Sequence, residues 1–289
     1  VIIMKLKLIA ATALLSLSTA AFALDSQFER TLNVNAQPDL YVGTGSGNIQ
    51  IHAGNGNQIH IVGHIHAGWG AFGDISARIQ RIVDNPPIMQ EGNSIKIGME
   101  NDHDLYNHLS IDYDISIPSG TALNVKSGSG EVNIDGASPR YLSASSGSGN
   151  VTAHGVRGTA DLSSGSGDIV LDEEAAGDVK AKSGSGNIRI HGFDGALNAR
   201  TGSGEIEAFG HLTGAATLSS GSGNVHLHLN PDARFNLEAS TGSGDIRVHF
   251  PNAPQQNDSS RHHMTASING GGPVLEVRTG SGDIGIDSN

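Results

Sequence analysis

The tripeptide Gly-Ser-Gly recurs nine times along this chain, with its serine at Ser46, Ser129, Ser148, Ser166, Ser185, Ser203, Ser222, Ser243 and Ser281. From Ser129 the steps are 19, 18, 19, 18, 19, 21 and 38 residues, the last the length of two periods. A fixed period near 20 residues marks a solenoid, in which each repeat buries its apolar face by stacking on the next. Flexible linkers do not fit, because ordered alternating segments separate the phrases.

Aligned on the serine, each period holds two short strands. Positions three and five after it carry apolar pairs such as Val132/Ile134, Ile169/Leu171 and Ile188/Ile190. Positions six and four before it carry Leu123/Val125, Ala160/Leu162 and Val179/Ala181. Period-two alternation predicts strands with one buried face, and the Ile, Val, Leu and Ala content suits a narrow two-sheet coil. Two positions before each serine from Ser129 onward stands a hydroxyl: Ser127, Ser146, Ser164, Ser183, Thr201, Ser220, Thr241 or Thr279. Parity turns it inward, where it can satisfy backbone groups left unpaired at the corner. The glycines suit a tight bend there.

The outward columns separate a parallel coil from an antiparallel meander. Two residues after the serine the order is Glu131, Asn150, Asp168, Asn187, Glu205, Asn224, Asp245, acid alternating with amide. Position six reads Asp135, His154, Asp172, His191, Phe209, His228, His249. Like charges directly opposite are unfavourable, so alternation matters if equivalent positions stack about 4.8 Å apart. Duplication of a two-coil unit of 37 residues, the spacing of Ser148, Ser185 and Ser222, would also produce it. The expected fold is all-β: a parallel β-solenoid with two short strands per coil, and an N-terminal β-rich cap carrying one short helix.

Residues 1–23 read as a secretory signal peptide: a basic start at Met4–Lys7, an apolar run from Leu8 to Leu17, and Ala-Phe-Ala at Ala21–Ala23. Residues 24–120 are expected to form the N-terminal cap and first coils, and 121–289 the regular array. Asp74–Val83 places Ile75, Ile79, Ile82 and Val83 on one helical face behind Asp74 as cap, stopped by Asn85-Pro86-Pro87. Strands are expected around Ser94–Gly98 and Ser110–Pro118. Pro251–Pro273, rich in Pro, Gln, Asn and Ser, reads as an exposed excursion. The expected location is periplasmic or secreted, with no transmembrane anchor after signal cleavage.

Losing Lys5 and Lys7 with the signal leaves 15 basic against 29 acidic residues, a charge of −14. That field excludes nucleic acid as a partner. With no cysteine, backbone pairing and core must hold the fold alone.

The signal peptide, the [ST]-G-S-G-[NDE]-[IV] phrase at about 19-residue spacing, and the closing run Val274–Asp287 together resemble the bacterial putative-adhesin family. The resemblance implies an exported β-solenoid related to auto-transporter adhesin head domains, and it supplies no catalytic residues.

The residues themselves test the sharper chemistries. A phosphate loop needs a helix after the glycines and a Walker lysine; here strands follow and acids come next. The calcium β-roll needs a nine-residue phrase, half the period seen. The histidines at His60, His64 and His66, or the column Asp135, His154, Asp172, His191, His228 and His249, raise the question of zinc or copper. They lack a fixed ligand geometry, and the plainer reading is a solvated surface ladder. Imidazole changes charge in the physiological range, so association through His154, His191, His228 and His249 is expected to respond to acidification. Parallel β-helices also host polysaccharide enzymes, but the outward acids do not cluster as such a site requires. The candidate stacking aromatics, Trp69, Phe72, Tyr106 and Tyr113, all lie in the cap. The expected function is therefore non-enzymatic, without cofactor: adhesion, interaction or scaffolding in the envelope, with an envelope protein or glycan as partner. The alternative is a carbohydrate-processing or glycan-binding protein on the same rod.

Overall fold

The computed structural model describes residues 26–68, 74–98, 103–251 and 261–288. The expected signal peptide, Trp69 and Phe72 lie outside them. The N-terminal region contains β1 (Ser26–Asn33), β2 (Asp39–Thr44), β3 (Ile49–Ala53), β4 (Gln58–Ala67) and α1 (Ile75–Asp84). It continues through β5 (Ile88–Glu91), β6 (Ser94–Ile97), the short α2 (His103–Tyr106) and β7 (Leu109–Ile117). The regular array follows as β8 (Ala122–Ser127), β9 (Val132–Asp135), β10 (Tyr141–Ser146), β11 (Val151–Val156), β12 (Thr159–Ser164), β13 (Ile169–Glu173) and β14 (Val179–Ser183). Two long strands, β15 (Ile188–Thr201) and β16 (Ile206–Ser220), run round the corner opposite Gly-Ser-Gly without a break. The chain ends in β17 (Val225–Leu229), β18 (Phe235–Thr241), β19 (Ile246–His249), β20 (His263–Ile268), β21 (Val274–Thr279) and β22 (Ile284–Ser288).

Two parallel ladders make the coil. Strands entering each corner stack as β6, β2, β8, β10, β12, β14, β15, β16, β21, β18. Strands leaving it stack as β7, β3, β9, β11, β13, β15, β16, β17, β22, β19. In-register parallel pairing settles the choice between coil and meander. The alternating Ile, Val, Leu and Ala of both ladders point into one shared core.

The stacking order departs from sequence order at both ends. The coil β2/β3 lies between β6/β7 and β8/β9, so the second coil in sequence is the outer one. At the other end β21/β22 lies between β16/β17 and β18/β19. The 38-residue step is therefore one coil and a cap, not two further coils. Residues His263–Ile268 of the expected excursion form β20, antiparallel on β18, with Met264 and Ile268 buried. Antiparallel β5 on β6, and β4 with β1 on β7, flank the opposite end. Such flanking strands limit edge-to-edge association.

The predicted helix is present, with Ile79 and Ile82 buried, but Asp74 makes no side-chain cap bond. Tertiary packing of that apolar face, rather than the cap, holds the helix in place.

The corner shows why its residues recur. Each inward hydroxyl donates to a glycine carbonyl of the neighbouring coil and accepts the N–H three residues ahead. Ser183 Oγ, for example, lies 2.9 Å from both Gly167 O and Gly186 N. Ser146, Ser164, Thr201, Ser220 and Thr279 repeat the pair of bonds. Ser183→Ala should therefore cost about 1–3 kcal/mol in urea unfolding, by leaving both groups unmet, while Ser183→Thr should stay near wild type because Thr201 serves the same role. An alanine as stable as wild type would remove the hydroxyl from the account.

The glycines have a different reason from the expected tight bend. None of the Gly-Ser-Gly glycines has φ in the left-handed region. What they lack room for is a Cβ: one on Gly149 would lie 2.2 Å from Gly130 O.

Candidate functional site

Ladder register brings the outward columns together on one face. After the corner, position two reads in space Asp112, Asn48, Glu131, Asn150, Asp168, Asn187, Glu205, Asn224, Asp283, Asp245. Acid alternates with amide until the last pair. The shorter side chains also bond: Asn150 Oδ1 accepts the Asp168 N–H at 2.9 Å, and Asp168 Oδ1 the Asn187 N–H at 2.7 Å. Asn48, Asn187 and Asn224 do the same for Glu131, Glu205 and Asp283. Where two acids meet, Arg247 bridges them, at 2.9 Å to Asp245 and 3.1 Å to Asp283. The Asp283 carboxyl is held below the ordinary carboxylate range, first by the Asp245 backbone N–H it accepts and then by Arg247.

Position six carries the predicted site residues in one column: His52, Asp135, His154, Asp172, His191, Phe209, His228, Asp287, His249. His154 and Asp172 are brought together, with Nδ1 and Oδ2 2.5 Å apart. His249 pairs with Asp287 at 2.6 Å rather than stacking on His228. Asp135 stands exposed at the end of its strand. His191 and His228 are separated by Phe209, whose ring stacks on both at centroid distances of 4.7 and 4.4 Å and interplanar angles of 9° and 6°. His66 reaches Asp112 at 3.2 Å, and His60 reaches Glu29 at 3.6 Å. Among the described residues no three His, Asp or Glu side chains are placed to hold one metal ion.

One residue of chemical interest was not among those predicted. Glu173 is 8 % exposed, and neither carboxyl oxygen has a hydrogen-bond partner among the described residues. It is in register with Val156, while the Glu173 carbonyl abuts Gly192, which precedes the buried Phe193. Burial first, then the nearby Asp178 and Asp194 carboxylates, raise its pKa to about 8. Those aspartates are fixed at the corner, Asp178 accepting the Ala196 N–H at 3.0 Å and Asp194 the Thr213 hydroxyl at 3.2 Å. The signal lay at position seven, which reads Gly136, Gly155, Glu173, Gly192, Gly210, Leu229. Glycines with positive φ at 136, 155 and 192 turn the chain so that the next residue fills the core. Glu173 instead continues the strand alternation inward.

No helix among the described residues is long and apolar enough to cross a membrane. No curated protein gives a significant sequence match. Solved structures similar to this chain include a putative cell adhesion protein from Clostridium sporogenes, 12% identical, covering 92% of this chain and 100% of its own, with a TM-score of 0.25. A putative adhesin from Bacteroides fragilis is 9% identical over 91% of this chain and 97% of its own, with a TM-score of 0.29. Another from Parabacteroides distasonis is 11% identical over 91% and 98%, with a TM-score of 0.37. The Toastrack DUF4097 family model matches residues 40–287, which spans both ladders from β2 to β22. By that match, over a coil whose corner phrase recurs through the matched region, the chain belongs to the Toastrack DUF4097 family.

Proposed function

We propose that this chain is an exported, non-enzymatic rod for adhesion or partner recognition at the bacterial envelope, working through the flat outer face of the ladder that leaves each corner. The observation that carries the reading is the column from His52 to His249, joined at a register shift by the His154–Asp172 contact, with the three-ring stack His191–Phe209–His228 at its centre. Side chains at a fixed rung spacing present a regular pattern to a partner, and partly buried aromatic rings are enriched where proteins associate. Apart from Asp283 and Asp245, which Arg247 neutralises, the acids at these two positions are set apart by amide or imidazole rather than gathered as the carboxylate pair that glycosidic chemistry needs.

The test is binding of residues 24–289 to immobilised envelope fractions, comparing wild type with a variant carrying His191→Gln, Phe209→Ser and His228→Gln. Loss of roughly tenfold or more in affinity is expected if the stack is the centre of the contact. Equal binding by the two proteins would remove the face from the account.

A further inference from the structure

Every corner of the array but one is covered on its N-terminal side by another Gly-Ser-Gly corner or its equivalent. A Cβ on Gly128, Gly147, Gly165 or Gly184, each the first glycine of its corner, would lie 2.2 Å from a carbonyl oxygen of the corner above. Their N–H groups donate to that corner, as Gly128 does to Thr44 O at 3.0 Å and Gly147 to Ser127 O at 3.1 Å. Gly45 differs: a Cβ there would meet nothing within 4 Å.

The cause is the order of the coils. The coil outside β2/β3 is β6/β7, and it carries no Gly-Ser-Gly phrase. Of the connection between its two strands, the described residues that line this place are Gly98, Asp104, Tyr106, Asn107 and His108, and none puts an atom within 4 Å of a Cβ built on Gly45. The second half of the corner is still roofed, since a Cβ on Gly47 would run into Ile111 O. Over the first half, Thr44 to Ser46, the missing corner leaves a cavity of about 700 Å³.

The wall opposite Gly45 is built from Asp104, Tyr106, Asn107, His108 and Ser110. It is anchored from behind. The Arg78 guanidinium of α1 donates to Leu105 O at 2.7 Å and to Asn107 O at 2.5 Å. His108 holds φ 57, a conformation unusual for a residue other than glycine, and its carbonyl accepts the Gly68 N–H at 2.8 Å. An observed backbone outlier held by surrounding bonds is a pointer to a functional wall.

The lining decides the ligand class. Among the described residues around the cavity none is Lys or Arg, which disfavours phosphate, sulfate or uronate. Among the described residues the polar lining is hydroxyl, amide, the His108 imidazole, the Asp104 carboxylate, tyrosine and exposed glycine backbone, a set that hydrogen-bonds hydroxyl groups and offers ring surface between them. The volume lies in the ordinary range for small-ligand pockets. We propose that this cavity, the vacant stacking place above the Thr44–Ser46 corner, binds a neutral saccharide.

The site does not rest on the ladder-face reading: its residues are different, and either can fail while the other stands. Gly45 supplies the decisive variant. A side chain there enters the cavity without meeting the fold, so Gly45→Leu should block the site while leaving the thermal midpoint close to wild type. The probes are chitotetraose and maltotetraose at about 2 mM, with trigalacturonate and tetraglycine as anionic and peptide arms, read by saturation-transfer NMR. Expected is transfer to at least one neutral sugar with wild type, its loss in Gly45→Leu, and weakening of about threefold or more in Asn107→Ala, an exposed position that keeps the fold. No transfer to either neutral sugar, undiminished transfer in both variants, or a preference for trigalacturonate or tetraglycine would each overturn the proposal.

Discussion

Replacing Glu173 with leucine should make the protein more stable, and the gain should grow with pH. An acid whose pKa rises from 4.5 to about 8 on folding holds its proton in the folded state over a range where the unfolded chain has released it. Between those values the folded state binds more protons, so stability falls as pH rises from 4.5 to 8. At one pKa unit per about 1.4 kcal/mol, moving from pH 5 to pH 8 should remove about 3 kcal/mol through this group. Glu173→Gln should lack that slope, since it cannot ionise. Glu173→Leu should lack it too, and should also relieve the unpartnered oxygens in a column where Val156 and Phe193 are buried. Urea unfolding of the three proteins at pH 5 and pH 8 measures this directly. Curves that remain parallel between wild type and Glu173→Gln would show that the carboxyl ionises freely in the folded protein.

Two glycine substitutions that look alike in sequence should differ in sign. Gly149→Ala places its Cβ 2.2 Å from Gly130 O, 2.5 Å from Gly130 C and 2.9 Å from Glu131 N, all backbone. Nothing there is a flexible side-chain end, so neighbouring coils must separate, at a cost on the order of 3–5 kcal/mol. Gly45→Ala meets nothing within 4 Å and has no left-handed φ to oppose it. Restricting the unfolded chain should then leave it level with wild type or up to about 1 kcal/mol more stable. Chemical denaturation of both variants is the check, and equal destabilisation would mean that bend geometry, not coil-to-coil approach, selects glycine.

Much of this architecture was legible because the repeat exposes its own columns. Period-two alternation placed Val132/Ile134 and their counterparts in the core, and parity turned Ser127, Ser183 and Thr279 inward to the bonds they make. The order of coils was not read from the sequence, since each coil is self-similar and its register looks the same beside any other. Yet the rule of unlike neighbours contains that order. In sequence His228 is followed by His249, and Asp112 by Glu131; in space Asp287 and Asn48 stand between them. Glu173 escaped notice for a plainer reason: position seven is mostly glycine, and its parity mattered only where glycine was missing. The Gly45 cavity follows from the place of β6/β7, a coil without the corner phrase, outside β2/β3, which no column reports.

The inverted ends also govern how the molecule can be made and unmade. A simple stacked array can add or shed its outermost repeat one at a time. Here the strands latest in sequence, β21 and β22, form an inner rung, and β18/β19 closes over them. A chain emerging from its N-terminal side cannot finish the stack in the order it appears: β18/β19 must wait, or dock and withdraw, until the last strands arrive. Unzipping from that end meets the same interlock in reverse, because the final residues cannot peel away while β18/β19 remains paired. Placing β21/β22 between coils that precede it in sequence is a non-local pairing, of the kind associated with slow folding in β proteins.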